Sequence, residues 1–513
     1  MLACKDDSQG KKTVATIFTW RTARLFTRPV DREVMTSKVS YRFLMQVWRL
    51  WVATLVASIA CTVPNPLDCS DGSCTDPTRP FCDTDGTIGG QQNTCVAVAC
   101  TPDTFAECRD DVAVTCNHDG NNYNLVQCPL GCDAATGGCL ACTDDSQCNG
   151  NSPVCDDATK SCRACASDDE CASDVCDLDT GACIAEATVV YASPDGPDAG
   201  SCTHAQPCSL ARALTVATTA ATTPRLRLLP GTYPSELAVS APTPQPLSID
   251  ANGASLAANI ALSVTNGASV IVDGAMIVGA RDIVCGAPSQ PRSALTVTRS
   301  TLVEAENLQA ISTTACDLHI DQADISITNG EILLSAANGT SFQGERIHVH
   351  GAAGFALLVV TSGIQDDIRF TNSLLESVAF QLGSTDGSGS DVVLAFDTVM
   401  VAAGASNTLG CDATQGATFS VQNSIIGKLA AGDAITGLGC FITNTIAFPQ
   451  VSTAPGSTVA DPRFVSPASD FHLMAGSLAI DAASDGTNPT VDLDGTPRPQ
   501  GPKDDLGAFE FKP

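Results

Sequence analysis

Aromatic residues make up only 5% of this 513-residue chain, and basic residues are few: 27 against 56 acidic ones, for a net charge of −29. A chain so poor in Lys and Arg lacks the basic face that nucleic-acid binding requires, so no nucleic-acid partner is expected. Histidine occurs six times. Several catalytic signatures are missing as well. There is no phosphate-binding glycine loop, no HExxH and no nucleophile elbow, and the glycine-rich stretch from Gly383 to Gly389 reads as loop. The most prominent amino-terminal apolar run, from Leu50 to Ala60, is short for a membrane-spanning helix, which takes about 20 residues. Gly, Ala, Ser and Thr are abundant, and residues this small suit closely stacked coils and their turns.

A short signature recurs between residues 225 and 447: apolar, any, apolar, any, then a turn-type or polar residue. It reads Leu226-Arg-Leu228, Leu247-Ser-Ile249, Val270-Ile-Val272, Leu295-Thr-Val297 and Leu318-His-Ile320. It continues as Ile347-His-Val349, Ile368-Arg-Phe370, Leu394-Ala-Phe396, Phe419-Ser-Val421 and Cys440-Phe-Ile442. Successive copies are spaced by 21 to 29 residues. Strict alternation gives a strand with one face inward. A fixed period near 24 residues without helical pattern between the strands indicates a solenoid, whose coils bury their inner faces only against each other. The expected fold is mainly β, a parallel β-helix of about ten coils. A sandwich or barrel would instead show hairpin turns about every 8–12 residues.

Eighteen of the 26 cysteines lie between Cys69 and Cys183, which predicts a disulfide framework in an oxidising compartment. They divide as 4 + 6 + 4 + 4: Cys69 to Cys95, Cys100 to Cys139, Cys142 to Cys162, and Cys165 to Cys183. From Cys61 to Cys183 there are 21 acidic and 4 basic residues and almost no large apolar ones, so cross-links must replace a hydrophobic core. Cysteine-bound zinc is disfavoured by these spacings and by export. Asp-rich turns such as Asp177-Leu-Asp179 leave calcium open, beside the plainer reading that the aspartates form turns.

Residues 36–60 read as an export signal, with Lys38, Arg42 and Arg49 ahead of the apolar run. The preceding stretch suggests that translation begins at Met35 or Met45. Cys61, after Ser58-Ile59-Ala60, resembles the lipidated cysteine of bacterial lipoproteins, although that family usually has Leu where Ser58 stands. Ordinary cleavage at the same bond is the alternative. Of the 25 cysteines left after cleavage, lipidation of Cys61 would leave 24 to pair, an even number.

Three further resemblances bear on architecture. Val190 to Gly196, a capped helix from Leu210 to Ala221 and Leu226-Arg-Leu-Leu-Pro-Gly-Thr-Tyr233 resemble the opening of pectin-lyase-like right-handed β-helix proteins. Asp461-Pro-Arg-Phe464, Asp470-Phe-His-Leu473, Asp492-Leu-Asp-Gly495 and Asp505-Leu-Gly-Ala-Phe-Glu510 resemble the terminal module of choice-of-anchor β-helix surface proteins, with Leu478 where that family usually has Pro. No sorting signal follows, so the expected anchor is the amino-terminal lipid, or none. The cysteine repeats resemble those of secreted and surface proteins of large-genome bacteria, which implies a stalk or interaction surface. The expected organisation is 1–60 extension and signal, 61–187 disulfide-rich, 188–460 β-helix with its cap, and 461–513 capping module. Cys202 with Cys208, Cys285 with Cys316, and Cys411 with Cys440 are the expected pairs.

If the apolar positions of the signature point inward, the intervening ones form rows on the outer face, with coils about 4.8 Å apart. His319 and Asp321, His348 and His350, and then Arg369 fall on that face, so His319 is expected near His348, Asp321 near His350, and Arg369 one coil on. Such a row suits an acidic saccharide, or a transition metal held by His319, His348 and His350. A solvated face is the plain alternative. Polygalacturonase-like motifs are absent apart from Asp366-Asp367, and so is a tandem-acid calcium site of the pectate-lyase kind. The reading is an exported surface protein of the cell envelope: an outward-facing outer-membrane lipoprotein, or a secreted protein. It recognises a polysaccharide or another cell surface. A polysaccharide lyase or glycoside hydrolase working on the outer face is the alternative.

Overall fold

The computed structural model describes residues 67–512 apart from short internal stretches, the longest being 402–408 and 411–417, together with the paired strands Cys4–Asp6 and Lys12–Val14. The export signal and Cys61 fall outside the described residues. Two compact units divide the chain, Met1–Arg163 and Ala164–Pro513.

The first unit is built on cross-links. Its buried apolar residues are mostly cysteines, joined by Ala113, Val114 and Val154 among the described residues. Cys69 pairs with Cys82 and Cys74 with Cys95. In the six-cysteine group Cys100 pairs with Cys116, Cys108 with Cys132 and Cys128 with Cys139. Cys142 then pairs with Cys155 and Cys148 with Cys162. Each group of the sequence reading closes on itself. Aspartates shape the turns between them: Asp133 accepts from the Ala135 N–H at 2.8 Å and the Thr136 hydroxyl at 2.6 Å.

The second unit opens with the last cysteine group, Cys165–Cys176 and Cys171–Cys183, packed on the first coil. Tyr191 donates its hydroxyl to the Ser173 carbonyl at 2.8 Å, and the buried Arg227 pairs with both Asp168 and Asp250. Asp177 accepts from the N–H groups of Asp179 and Thr180 at 3.2 Å and pairs with Arg225. Its carboxylate thus already serves a turn and an ion pair. Cys202 pairs with Cys208 and Cys285 with Cys316. Cys440 is also disulfide-bonded, while Cys411 lies outside the described residues. The helix Leu210–Thr219 starts at Ser209, whose hydroxyl accepts from Arg212 N, and it buries Leu210, Ala213, Leu214 and Ala217 against the opening coil.

From there the chain is a parallel β-helix. An eleven-stranded parallel sheet takes one strand from each coil after its first strand, Val189–Ala192. A broader eighteen-stranded sheet takes the remaining strands of every coil. Alternation decides which side chains enter: in Cys316–Asp321, Leu318 and Ile320 are buried while His319 and Asp321 lie partly exposed. Phe342 and Phe370 meet inside at 5.2 Å between ring centroids.

One coil departs from the expected register. The strand that continues the eleven-stranded sheet after Cys316–Asp321 is Ser341–Glu345, with Phe342 and Gly344 inward. Ile347-His-Val349 belongs to the next strand, His348–Ser362, in the other sheet. Gly344 conceals the signature because the Ile347 side chain and the Phe342 ring fill its side-chain space. A Cβ there would sit 2.9 Å from Ile347 Cδ1 and 3.2 Å from the ring. A second shift occurs at Asp391–Ala395, where Val392 and Leu394 point inward. Phe396 then turns the chain at a φ of 60°, and Asp397, expected on the outer face, is fully buried and accepts from the Ser373 N–H at 2.8 Å. Burial drives its carboxyl well above the usual carboxylate range.

The carboxyl-terminal residues lie along one corner of the stack. Phe464, Phe471, Leu473, Leu506 and Phe509 cover Leu374, Phe396, Met400, Ile425 and Ile446 from four successive coils. Arg498 holds the seam: it donates to the carbonyls of Asp505 and Gly507, to Glu510 and to Asn372 Oδ1, with its guanidinium 5.4 Å from the Phe396 ring. The short strand Ser457–Val459 pairs with Thr445–Phe448 in the last coil.

Candidate functional site

The corrected register divides the row of candidate side chains between two sheets. On the eleven-stranded sheet His319 stands beside Gln343, and Gln343 beside Arg369. In the parallel column Asp321 stands beside Glu345, and Glu345 beside Thr371. His348 and His350 project from the neighbouring sheet, where their strand partners are Asp324 and Ser326 on one side and Leu374 and Glu376 on the other. His319 therefore stacks on Gln343 where His348 was expected, and Asp321 on Glu345 where His350 was expected.

On the first sheet, a depression of about 250 Å³ opens between the outer face and the carboxyl-terminal module. Gln343, Gly344, Glu345, Arg369 and Thr371 form its floor, and Asn488 and Pro489 its wall. It is small against the ~300–1,000 Å³ of an enclosing ligand pocket. Of the five sequence candidates, Arg369 alone lines it. Arg369 is paired with Asp367 at 2.9 Å, and Glu345 shares the same floor. Asp321 is engaged by Arg346, whose Nε lies at 2.9 Å. Asp366, next to Asp367, is buried and accepts from Thr340 N at 2.8 Å. Burial raises its carboxyl above the ordinary range, and the two acids do not act as a surface pair.

On the second sheet, Asp324, His348 and His350 bring their donor atoms within 4.8 Å of one another. Asp324 Oδ1 lies 3.3 Å from His348 Nδ1 and 3.2 Å from His350 Nε2. His348 Nε2 lies 3.2 Å from Glu376 Oε2, and the two imidazole rings are 4.9 Å apart. Ile325, Ile327, Val349 and Leu375, which alternate with these residues, are buried and fix the outward direction of the cluster. Asp324 and Glu376 were absent from the sequence reading, yet the period carries them. Asp324 precedes His348 by 24 residues and Glu376 follows His350 by 26, each about one coil.

No family model matches this chain, and no curated protein matches it. Among solved structures it is similar to pectate lyase Pel9A, with 14% identity, 63% of this chain and 96% of that chain covered, and a TM-score of 0.36. The parallel β-helix rests on the strand pairing described above, and the cross-links mark a protein of an oxidising, extracellular setting.

Proposed function

We propose that this chain is an exported surface protein that recognises glycans, with the depression around Arg369 as its contact point. The observation that carries this reading is the composition of that depression. Gln343, Glu345, Arg369, Thr371 and Asn488 offer amide, carboxylate, guanidinium and hydroxyl groups on a rigid sheet, the set of donors and acceptors that sugar hydroxyls require. The charge balance favours a neutral saccharide over an acidic one. Arg369 is already paired with Asp367, and Glu345 would repel a carboxylate. Of the three histidines, His348 and His350 sit on the other sheet, and His319, beside Gln343 on this one, does not line the depression. Fold alone does not choose between binding and cleavage.

A glycan array probed with the chain tests this. Binding is expected to neutral glycans, and Arg369→Ala with Gln343→Ala should weaken it about tenfold or more, since each removes a hydrogen-bonding group. The unfolding temperature should hold, because the side chains are at the surface. Selective binding to acidic glycans, or binding indifferent to both substitutions, would sink the reading. Shortening of a bound polysaccharide would move it to the alternative, a lyase or hydrolase.

The same proposal includes anchoring through lipid at Cys61, on the strength of the apolar run and the small residues before it. The mature protein should partition into detergent and carry a diacylglycerol mass, and Cys61→Ser should remove both. An unmodified Cys61 in protein isolated from its native host would end the idea.

A further inference from the structure

We propose that Asp324, His348 and His350 form a mononuclear site for a divalent transition metal of the zinc type, with Glu376 as its outer support. The site is independent of the glycan reading, since it lies on the other sheet. Its first ground is spacing. In a tetrahedral site with ligand bonds of roughly 2.0–2.2 Å, neighbouring ligand atoms lie about 3.3 Å apart. Asp324 Oδ1 lies 3.3 Å from His348 Nδ1 and 3.2 Å from His350 Nε2. Its second ground is an orphaned atom. Asp324 Oδ1 is shielded from solvent yet makes no hydrogen bond, although two ring nitrogens face it. A cation bound by all three donors satisfies that oxygen and both nitrogens together.

The surrounding groups agree with this assignment. His348 would ligate through Nδ1, and its Nε2, 3.2 Å from Glu376 Oε2, would donate there. A carboxylate behind a ligating imidazole fixes its tautomer and raises its basicity. Two imidazoles and one carboxylate suit zinc or its neighbours better than calcium, which takes six to eight oxygen ligands. All the donors stand on adjacent parallel strands, so the site is formed before the ion arrives. Three protein ligands leave a fourth position for water or for a donor atom of a ligand. Among the described residues of this unit no reduced thiol competes, because Cys202, Cys208, Cys285, Cys316 and Cys440 are disulfide-bonded.

The experiment is titration of the full chain, purified without a histidine tag, with Zn²⁺ alone by calorimetry. X-ray absorption spectroscopy of the loaded protein accompanies it. One ion per chain is expected, with imidazole scattering and no sulfur in the first shell. His348→Ala with His350→Ala should weaken binding roughly 100-fold or more, Asp324→Asn by a comparable factor, and Glu376→Gln about 10- to 100-fold. His319→Ala should leave it unchanged. Absence of zinc binding overturns the proposal. So does one-to-one binding that survives Asp324→Asn and the double histidine variant, which would place the ion elsewhere, for example at His472 between Asp470 and Asp494. The spectrum of the unaltered protein decides the ligand set even where a variant fails to fold.

Discussion

Replacing Arg498 by alanine is expected to cost about 3–5 kcal/mol, the range for removing one partner of a buried ion pair. Arg498 and Glu510 have side chains 0% and 1% exposed, so neither charge can turn to water when the other is lost. The guanidinium also satisfies two backbone carbonyls and Asn372 Oδ1, which would be left buried without a donor. Burial already raises the Glu510 carboxyl, and it would take up a proton in the variant. Arg498→Lys should recover little, because an ammonium cannot reproduce the planar fork that reaches four acceptors. Calorimetric unfolding of the variants checks this. A loss below about 1 kcal/mol for Arg498→Ala would show that the seam is held by its apolar contacts alone.

Reduction should have the second large effect, and a selective one. The first unit carries seven described disulfides that close sequence separations of 11 to 24 residues. Each is worth roughly 3 kcal/mol by loop entropy. Opposing their loss are few buried apolar residues besides the cysteines. Strong reductant should abolish protease resistance across residues 67–163. The coils keep a continuous core of Leu, Ile, Val and Phe and should persist as a resistant fragment. Limited proteolysis with mass spectrometry gives the readout; equal survival of both units under reductant would show another source of order in the first.

Alternation made most of the β-helix legible from sequence, because inward positions tolerate little besides apolar side chains. Leu318 and Ile320 show it directly. It failed where packing put glycine inside: at Gly344 the side chains of Ile347 and Phe342 take the space of the missing one, and Ile347 and Val349 supplied a false copy one strand late. A step of 29 residues followed by 21 was the visible symptom, and placing the copy on Ser341–Glu345 makes the steps 24 and 26. The outward direction of His319, His348 and His350 was readable, since each alternates with buried neighbours. Their neighbours across strands were not, because a coil contributes strands to two sheets and one signature tracks one of them. The contribution of Asn488 to the depression depends on a fold-back of the carboxyl-terminal residues that no local pattern announces.

That fold-back changes how the solenoid can come apart. In a simple stack each coil touches only the next, and the terminal one can peel away alone. Here Asn372, Phe396, Asn423 and Asn444 turn the chain in four consecutive coils, and the carboxyl-terminal module binds at each: Arg498 at Asn372 and Phe396, Ser484 and Gly507 at Asn423, and Ala482 at Asn444. Peeling the last coil therefore also breaks contacts that the module shares with coils deeper in the stack. The module works as a longitudinal splint, and the end of the solenoid that would otherwise fray first becomes a block that is gained or lost as one.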